Sequence, residues 1–272
     1  MRVPAILLIA SLSATAQAGE TAWQELAPGA RARLISSDVA AADGTTMIGL
    51  ELDMPLSSNT YWRVPGETGI PTVLDLAGSS GVSGHQMLWP YPAIETSTGY
   101  VDFVYRGPVV LPVQLSLDGG PVDLKIAVTM GICSDVCVPV MSSFQLPLSF
   151  AAPDRAQGLR IAQAVARTPL EWTGTNNPVP GVAYDAGTDA LAVSVSGEVD
   201  PLSLIADAGE GGQLFGAPQK SPDGNLVLLP LLGGDQGRNV EGTPVRLTFM
   251  TEMGPFSVER RISSARSTAS GG

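Results

Sequence analysis

The chain contains two cysteines, Cys133 and Cys137, which lie four positions apart. Two thiols at this spacing can form a disulfide, exchange it with another thiol, or bind a soft metal ion. A disulfide that closes so short a loop removes little conformational entropy from the unfolded chain. The spacing therefore suits a bond that opens and closes, although a structural bridge also fits it.

The residues around the cysteines predict a hairpin with the pair at its mouth. Even-numbered residues are apolar along residues 122–130 and again along 144–150, which is typical of half-buried strands. Opposed residues of a non-hydrogen-bonded antiparallel pair have Cα atoms about 4.5 Å apart, at the short end of the disulfide range. We expect a strained or exposed bond, which is reduced readily. Asp135 disfavours thiolates by charge repulsion, so the pair is predicted to accept attack by a partner's thiolate.

These residues leave three interpretations open: a structural bridge, a redox pair and a soft-metal site. Met130 and Met141 flank the cysteines, and thioethers beside two thiolates suit Cu(I). Core packing is the simpler role for both methionines. His85 is the only histidine, so it cannot build a zinc site, and we interpret it as a solvated loop residue. No G-x-S-x-G motif supports hydrolase chemistry.

Aromatic residues cluster at Tyr61 and Trp62 and again at Trp89 and Tyr91. They could bind a sugar or a peptide, but packing in a core and its loops explains them more simply. The next residue, Arg63, is interpreted as a surface charge rather than a partner contact.

Four ordered motifs resemble the N-terminal periplasmic domain of the DsbD and ScsB type protein-disulfide reductases. They are NTYWRVPG followed by GIP at residues 59–71, MLWPYP at 87–92, YRGPVVLP at 105–112, and CxxxC-x-P at 133–139. The resemblance implies an immunoglobulin-like fold with Cys133 and Cys137 as a redox pair that needs no cofactor. An aromatic loop caps the cysteines in this interpretation, and Trp89 and Tyr91 are the predicted cap.

In that family the pair carries reducing equivalents from a membrane-embedded disulfide reductase to periplasmic thiol-disulfide proteins. The resemblance thus predicts a relay with these two kinds of partner, in the setting of cytochrome c biogenesis or copper tolerance. The sequence shows neither transmembrane segments nor a thioredoxin-like CxxC domain, so the relay is expected to depend on a separate membrane protein. The alternative is a non-catalytic periplasmic binding module with a structural disulfide, in one version related to Cu(I).

Residues 1–18 have the pattern of a secretory signal peptide. A single charge precedes a short apolar stretch, and Ala-Gln-Ala forms a small-x-small cleavage site before Gly19. We therefore expect a soluble periplasmic protein. Its 26 acidic and 15 basic residues give a net charge of −11, which argues against binding to nucleic acid.

Short alternating segments between Gly- and Pro-rich turns predict an all-β protein. An immunoglobulin-like antiparallel β-sandwich with the CxxxC hairpin is expected at residues 19–152. A connecting helix follows at 153–169, with an apolar stripe of Leu159, Ile161, Ala162 and Val165. A second, smaller β-sandwich is predicted at 170–262 and a disordered tail at 263–272.

Overall fold

The computed structural model describes residues 19–134, 136–222, 224–233 and 240–264. The predicted signal peptide, Asp135 and most of the predicted tail lie outside these ranges. Within them the protein is nearly all β with one α-helix, which confirms the predicted fold class. No helix among the described residues has the length and apolar character needed to cross a membrane.

The first β region forms two sheets that pack face to face as an immunoglobulin-like sandwich. Its strands are β1 (Gln24–Ala27), β2 (Ala30–Ala40), β3 (Thr45–Asp53), β4 (Asn59–Gly66), β5 (Val73–Asp75), β6 (Val82–Met87), β7 (Ala93–Glu95), β8 (Asp102–Arg106), β9 (Val109–Leu117), β10 (Asp123–Cys133) and β11 (Cys137–Pro147). One sheet has the order β1-β2-β3-β9-β6. The other has the order β11-β10-β4-β8-β7, and β5 pairs with β10.

Period-two alternation explains how these sheets bury a common core. The inward residues of β10 are Leu124, Ile126, Val128 and Met130. The side chains between them are mainly exposed, as predicted for a half-buried strand. Trp62 of β4 is fully buried in the same core and meets Phe103 edge to face at 6.0 Å between ring centroids. Strands β4 and β10 are thus neighbours in one sheet and bury side chains in the same core.

The single helix, α1 (Arg155–Val165), lies against β2 and β9 of the first sandwich. The Asp154 side chain caps it by accepting hydrogen bonds from two backbone N–H groups of the first turn. Its buried residues are Gln157, Ile161 and Ala164. The predicted stripe is therefore correct only at Ile161, and Leu159 is 61% exposed. The contact face is narrow and includes the polar residue Gln157, one turn before Ile161. A search for apolar residues alone does not find that position.

The second β region forms a smaller sandwich. Its strands are β12 (Leu170–Glu171), β13 (Gly181–Asp185), β14 (Ala190–Ser194), β15 (Ile205–Asp207), β16 (Leu214–Phe215), β17 (Gln219–Lys220), β18 (Leu226–Leu232), β19 (Pro244–Thr251), β20 (Gly254–Arg261) and β21 (Ser263–Ser264). The sheet orders are β12-β20-β19-β15 and β16-β18-β14-β13-β21, with β17 on β18. Two short pairings, β12 with β20 and β13 with β21, are parallel. Because Ser263 and Ser264 pair with β13, the disorder predicted from Ser263 is wrong for these two residues.

Contacts join the second sandwich to the strand β4 of the first. Arg63 donates to the Asp207 carboxylate at 2.9 Å and stacks over the Trp62 ring at 4.1 Å. Its side chain is only 24% exposed, so the surface-charge interpretation of Arg63 is wrong. Ile205, the first residue of β15, packs into the core of the first sandwich. Residues 59–61 of the same strand, just before Arg63, lie next to the cysteines.

Candidate functional site

The two cysteines form a disulfide at the end of the β10–β11 ladder. Cys133 and Cys137 are direct antiparallel partners in the last of eleven residue pairs, with Cα atoms 4.0 Å apart. Two residue pairs earlier, Gly131 donates its N–H to the Ile70 carbonyl instead of to β11, and its partner Pro139 has no N–H. The Gly131–Pro139 pair is therefore a non-hydrogen-bonded pair. Because hydrogen-bonded and non-hydrogen-bonded pairs alternate along the ladder, the Cys133–Cys137 pair is of the same type. The predicted position of the pair at a hairpin mouth is confirmed.

The two sulfur-bearing residues differ strongly in exposure. Cys133 is 3% exposed and packs with Tyr61 and Val104 in a small buried cluster. Cys137 is exposed, and its neighbour Val136 is 70% exposed. Cys137 is therefore the more accessible of the two residues to a thiolate from another molecule, because Cys133 is buried.

The side chain that covers the disulfide is Tyr61. Its hydroxyl oxygen lies 2.8 Å from the Cys133 sulfur and 3.2 Å from the Cys137 sulfur. Disulfide sulfurs carry no hydrogen, so the Tyr61 hydroxyl is the donor. Burial raises the pKa of Tyr61 above its usual value, and the charge of Asp102 adds to this. The hydroxyl thus stays protonated at neutral pH and can donate to a sulfur that gains negative charge.

Two glycines leave room for the Tyr61 ring. A Cβ atom at Gly69 would lie 2.3 Å from ring atom Cδ1, and one at Gly131 would lie 3.1 Å from Cε2. The ring is thus confined between the Gly69 segment and β10. Thr60 adds a buried hydrogen bond from its hydroxyl to the Gly131 carbonyl at 2.8 Å. These close contacts hold the Tyr61 hydroxyl against the disulfide.

Sequence reasoning missed this role of Tyr61, although the residue lies in the first quoted motif. The sequence predicts core or loop packing for the Tyr61–Trp62 stretch as a whole, and only the structure separates the two: Trp62 fills the core, whereas Tyr61 faces the disulfide. The contact depends on the pairing of Cys133 with Asn59, two residues before the tyrosine. A strand pairing across 74 positions leaves no local pattern; the glycines at 69 and 131 are the signal that could have suggested a tightly packed ring.

The predicted cap, Trp89 and Tyr91, has other contacts in the structure. The Tyr91 hydroxyl donates to the Ser203 carbonyl in the second sandwich, and its backbone N–H donates to the Arg167 carbonyl after α1. Trp89 is partly buried against the core of the first sandwich. The described contacts of both residues therefore support packing between elements, and Tyr61 takes the covering position that was predicted for them.

The remaining candidate residues do not join the disulfide. Met130 is fully buried in the core, whereas Met141 is 83% exposed on the opposite face of the same sheet. Consecutive strand residues point to opposite faces, so the two thioethers cannot converge on one Cu(I) ion with the cysteines. His85 is exposed as predicted, but it lies in strand β6 rather than in a loop. Among the described residues, no three or more His, Cys, Asp or Glu side chains are grouped to hold a metal ion.

Comparison with known proteins relates the sandwich that contains this site to a described family. Residues 31–149 match the family model of the thiol:disulfide interchange protein DsbD, N-terminal. The fold is similar to the crystal structure of the N-terminal periplasmic domain of ScsB from Proteus mirabilis, with a TM-score of 0.72 and 22% identity, over 91% of this chain and 100% of that chain. A search of curated proteins finds no match. The resemblance that the motifs predicted is confirmed.

Proposed function

We propose that this protein is a periplasmic thiol-disulfide exchange protein that relays reducing equivalents through Cys133 and Cys137. The observation that carries the proposal is the asymmetry of the disulfide: one sulfur-bearing residue is exposed, and the other is buried beneath the Tyr61 hydroxyl. Exchange needs a sulfur that a partner can reach and a second sulfur that can leave with the electron pair. The family match over residues 31–149 supports the same chemistry.

The first half-reaction reduces the disulfide. A thiolate of the donor attacks the Cys137 sulfur and forms a mixed disulfide, and the Cys133–Cys137 bond breaks. The electron pair passes to the Cys133 sulfur, which takes up a proton. The Tyr61 hydroxyl, 2.8 Å away, donates a hydrogen bond to this sulfur as its charge develops. A second donor thiolate then attacks the donor's own sulfur, which leaves the donor oxidised and releases Cys137 reduced.

The second half-reaction passes the two electrons to a client. The Cys137 thiolate attacks a client disulfide, and Cys133 resolves the resulting mixed disulfide, so that the client leaves as a dithiol. In this proposal a membrane-embedded disulfide reductase is the donor, periplasmic thiol-disulfide proteins are the clients, and no cofactor takes part. The Cys137-first order follows from the exposure of Cys137.

We further propose that the chain is processed on export and is divided into two domains. Residues 1–18 act as a signal peptide and are removed on export. The exchange chemistry belongs to a first domain at residues 19–152, and a helical connection at 153–169 leads to a second domain at 170–262. The second domain contributes to partner docking, and its ion pair between Asp207 and Arg63 ties it to the strand that bears Tyr61.

A redox titration tests the exchange function. The protein is equilibrated with dithiothreitol or glutathione buffers, and free thiols are counted by alkylation and mass spectrometry. We expect a midpoint potential above about −300 mV, since structural bridges lie below that value. A lower midpoint would identify an inert bridge and contradict the proposal. A double variant, Cys133→Ser with Cys137→Ser, serves as the control for non-specific alkylation.

A further inference from the structure

Two carboxylates, those of Asp38 and Asp154, lie on the side of the first sandwich where α1 begins. Asp38 is 2% exposed, and its Oδ1 atom has no hydrogen-bond partner among the described residues. Asp154 uses Oδ1 for both cap hydrogen bonds to α1, which leaves Oδ2 available. The Asp154 backbone N–H donates to the carbonyl of Ser37, the residue before Asp38, at 3.0 Å, so the two aspartates lie close together. Burial raises the pKa of Asp38, and the charge of Asp154 adds to this.

No cation of the described chain neutralises this pair. Neither Asp38 nor Asp154 takes part in an ion pair within the part of the protein that the structure describes. The nearby Glu20 is already satisfied, because Arg33 and Gln157 both donate to its carboxylate. Buried carboxylates are normally paired with a cation or fully hydrogen-bonded. The arrangement therefore points to a positively charged group that is still to be supplied.

Gly19 lies against the Asp154 carboxylate and is hydrogen-bonded to the strand that carries Asp38. It is buried, and its carbonyl accepts a hydrogen bond of 2.7 Å from the backbone of Ser36, two residues before Asp38. A Cβ atom at Gly19 would lie 2.6 Å from Asp154 Oδ2, and the residue has a φ of 84°, so only glycine fits without strain. Its nitrogen is bonded to the same Cα and so lies within about 5 Å of that oxygen by standard bond geometry.

We propose that Asp154 and Asp38 form a binding site for the α-ammonium group of Gly19. The site rests on the proposed removal of residues 1–18, for which the Ala-Gln-Ala pattern before Gly19 is a separate observation. A signal peptidase hydrolyses the Ala18–Gly19 bond; water completes the Ala18 carboxylate, and the Gly19 amine takes up protons to become the cation. Export thus creates the charge that the folded carboxylate pair lacks.

The first test identifies the N-terminus and asks whether its charge stabilises the fold. The full chain is expressed with residues 1–18 in a bacterium, and the exported product is identified by intact mass. A sample acetylated selectively on the α-amine is then compared with the free amine by thermal unfolding. We expect a chain that starts at Gly19 and a Tm about 2–4 °C lower after acetylation, the shift that a change of about 1 kcal/mol produces in a protein of this size.

Two aspartate variants decide where that charge is bound. Asp154→Asn keeps a good helix cap but removes the carboxylate, so acetylation should then leave the Tm nearly unchanged. Asp200→Asn is the matched control, because Asp200 caps the short 3₁₀ helix Pro201–Ser203 in the second sandwich. In that variant the full effect of acetylation should remain. An equal loss of Tm on acetylation in all three proteins would overturn the proposed site.

The pKa of the Gly19 amine provides a second, independent reading. Carboxylates close to an ammonium raise its pKa above the ordinary value of about 7.7–8.0, and NMR of the ¹³C-methylated amine measures it. We expect a raised value that falls in Asp154→Asn and in Asp38→Asn but not in Asp200→Asn. An ordinary amine pKa, or an exported chain that begins elsewhere than Gly19, would refute the inference. Neither result affects the exchange function, which the titration of Cys133 and Cys137 tests separately.

Discussion

The β10–β11 and β19–β20 hairpins are closed in different ways. The first pairs eleven residues of each strand and ends in the Cys133–Cys137 disulfide. The β19–β20 hairpin pairs eight residues of each strand and ends at Thr251 and Gly254. Its turn is held by the Thr251 hydroxyl, which accepts from the Met253 N–H and donates to the Gly254 carbonyl. Met253 at its tip is 75% exposed.

The second hairpin shows that this fold can close a long strand pair without a covalent bond. The ten further residue pairs of β10 and β11 already hold the first hairpin together. The disulfide is therefore not needed to join the strands, and the packing of Tyr61 against it has no counterpart described at the other hairpin tip. We infer that the disulfide at the first tip serves thiol-disulfide exchange, whereas the second tip only reverses the chain direction.

The largest expected effect is on the reactivity of single cysteine variants. Cys133→Ser leaves the exposed Cys137, which should form a mixed disulfide with oxidised glutathione at least about tenfold faster than the buried Cys133 left by Cys137→Ser, because exchange depends on access. Mass spectrometry of quenched samples measures both rates. Equal rates would show that the tip opens freely and would contradict the contrast between a buried Cys133 and an exposed Cys137.

Reduction of the disulfide should cost only modest stability. A bridge over so short a loop contributes about 2 kcal/mol in the chain-entropy description, which is less than for longer loops. We expect a Tm lower by about 4–8 °C in reductant, with near-UV circular dichroism retained at 25 °C. The double variant Cys133→Ser with Cys137→Ser should show no response to reductant. Loss of the near-UV signal on reduction would mean that the first hairpin, unlike the second, needs its bond.

Tyr61→Phe removes the hydroxyl that faces the sulfurs and keeps the ring. A hydrogen bond to a group that gains charge is worth about 1.5–3 kcal/mol, so the rate constant for reduction by dithiothreitol should fall about tenfold or more. Stopped-flow kinetics at pH 7 measures it. Tyr184→Phe is the matched control, since it removes the hydroxyl that donates to Asp189 in the second sandwich. If both variants react like the native protein, Tyr61 has a packing role only.

The smallest effect concerns stability at alkaline pH. Burial raises the pKa of Tyr61 and of Tyr105, whose hydroxyl donates to the Pro90 carbonyl. Each stays protonated to a higher pH in the folded state than in the unfolded chain, whose tyrosines titrate near pH 10, so their contribution is complete below pH 10 and is lost as the pH rises further. The fall in Tm between pH 8 and pH 11 should be smaller in Tyr105→Phe than in the native protein. An unchanged fall would argue against burial as the cause.

Periodicity alone predicted the cysteine hairpin of the first sandwich, but it did not predict the face on which the helix is buried. The β10–β11 hairpin follows from alternation over residues 122–130 and 144–150, because period two is a local property of strands. The helix was located, but its buried face was wrong at Leu159, because that face depends on where α1 rests on β2 and β9.

The sequence by itself determined the all-β class, the hairpin with opposed cysteines and, through ordered motifs, the resemblance to a known family. Only the tertiary structure decided which aromatic covers the disulfide. Tyr61 reaches Cys133 because β4 lies next to β10, whereas Tyr91 reaches Ser203 because the second sandwich packs beside it. Strand order and domain contacts join residues far apart in the chain, so local patterns do not encode them.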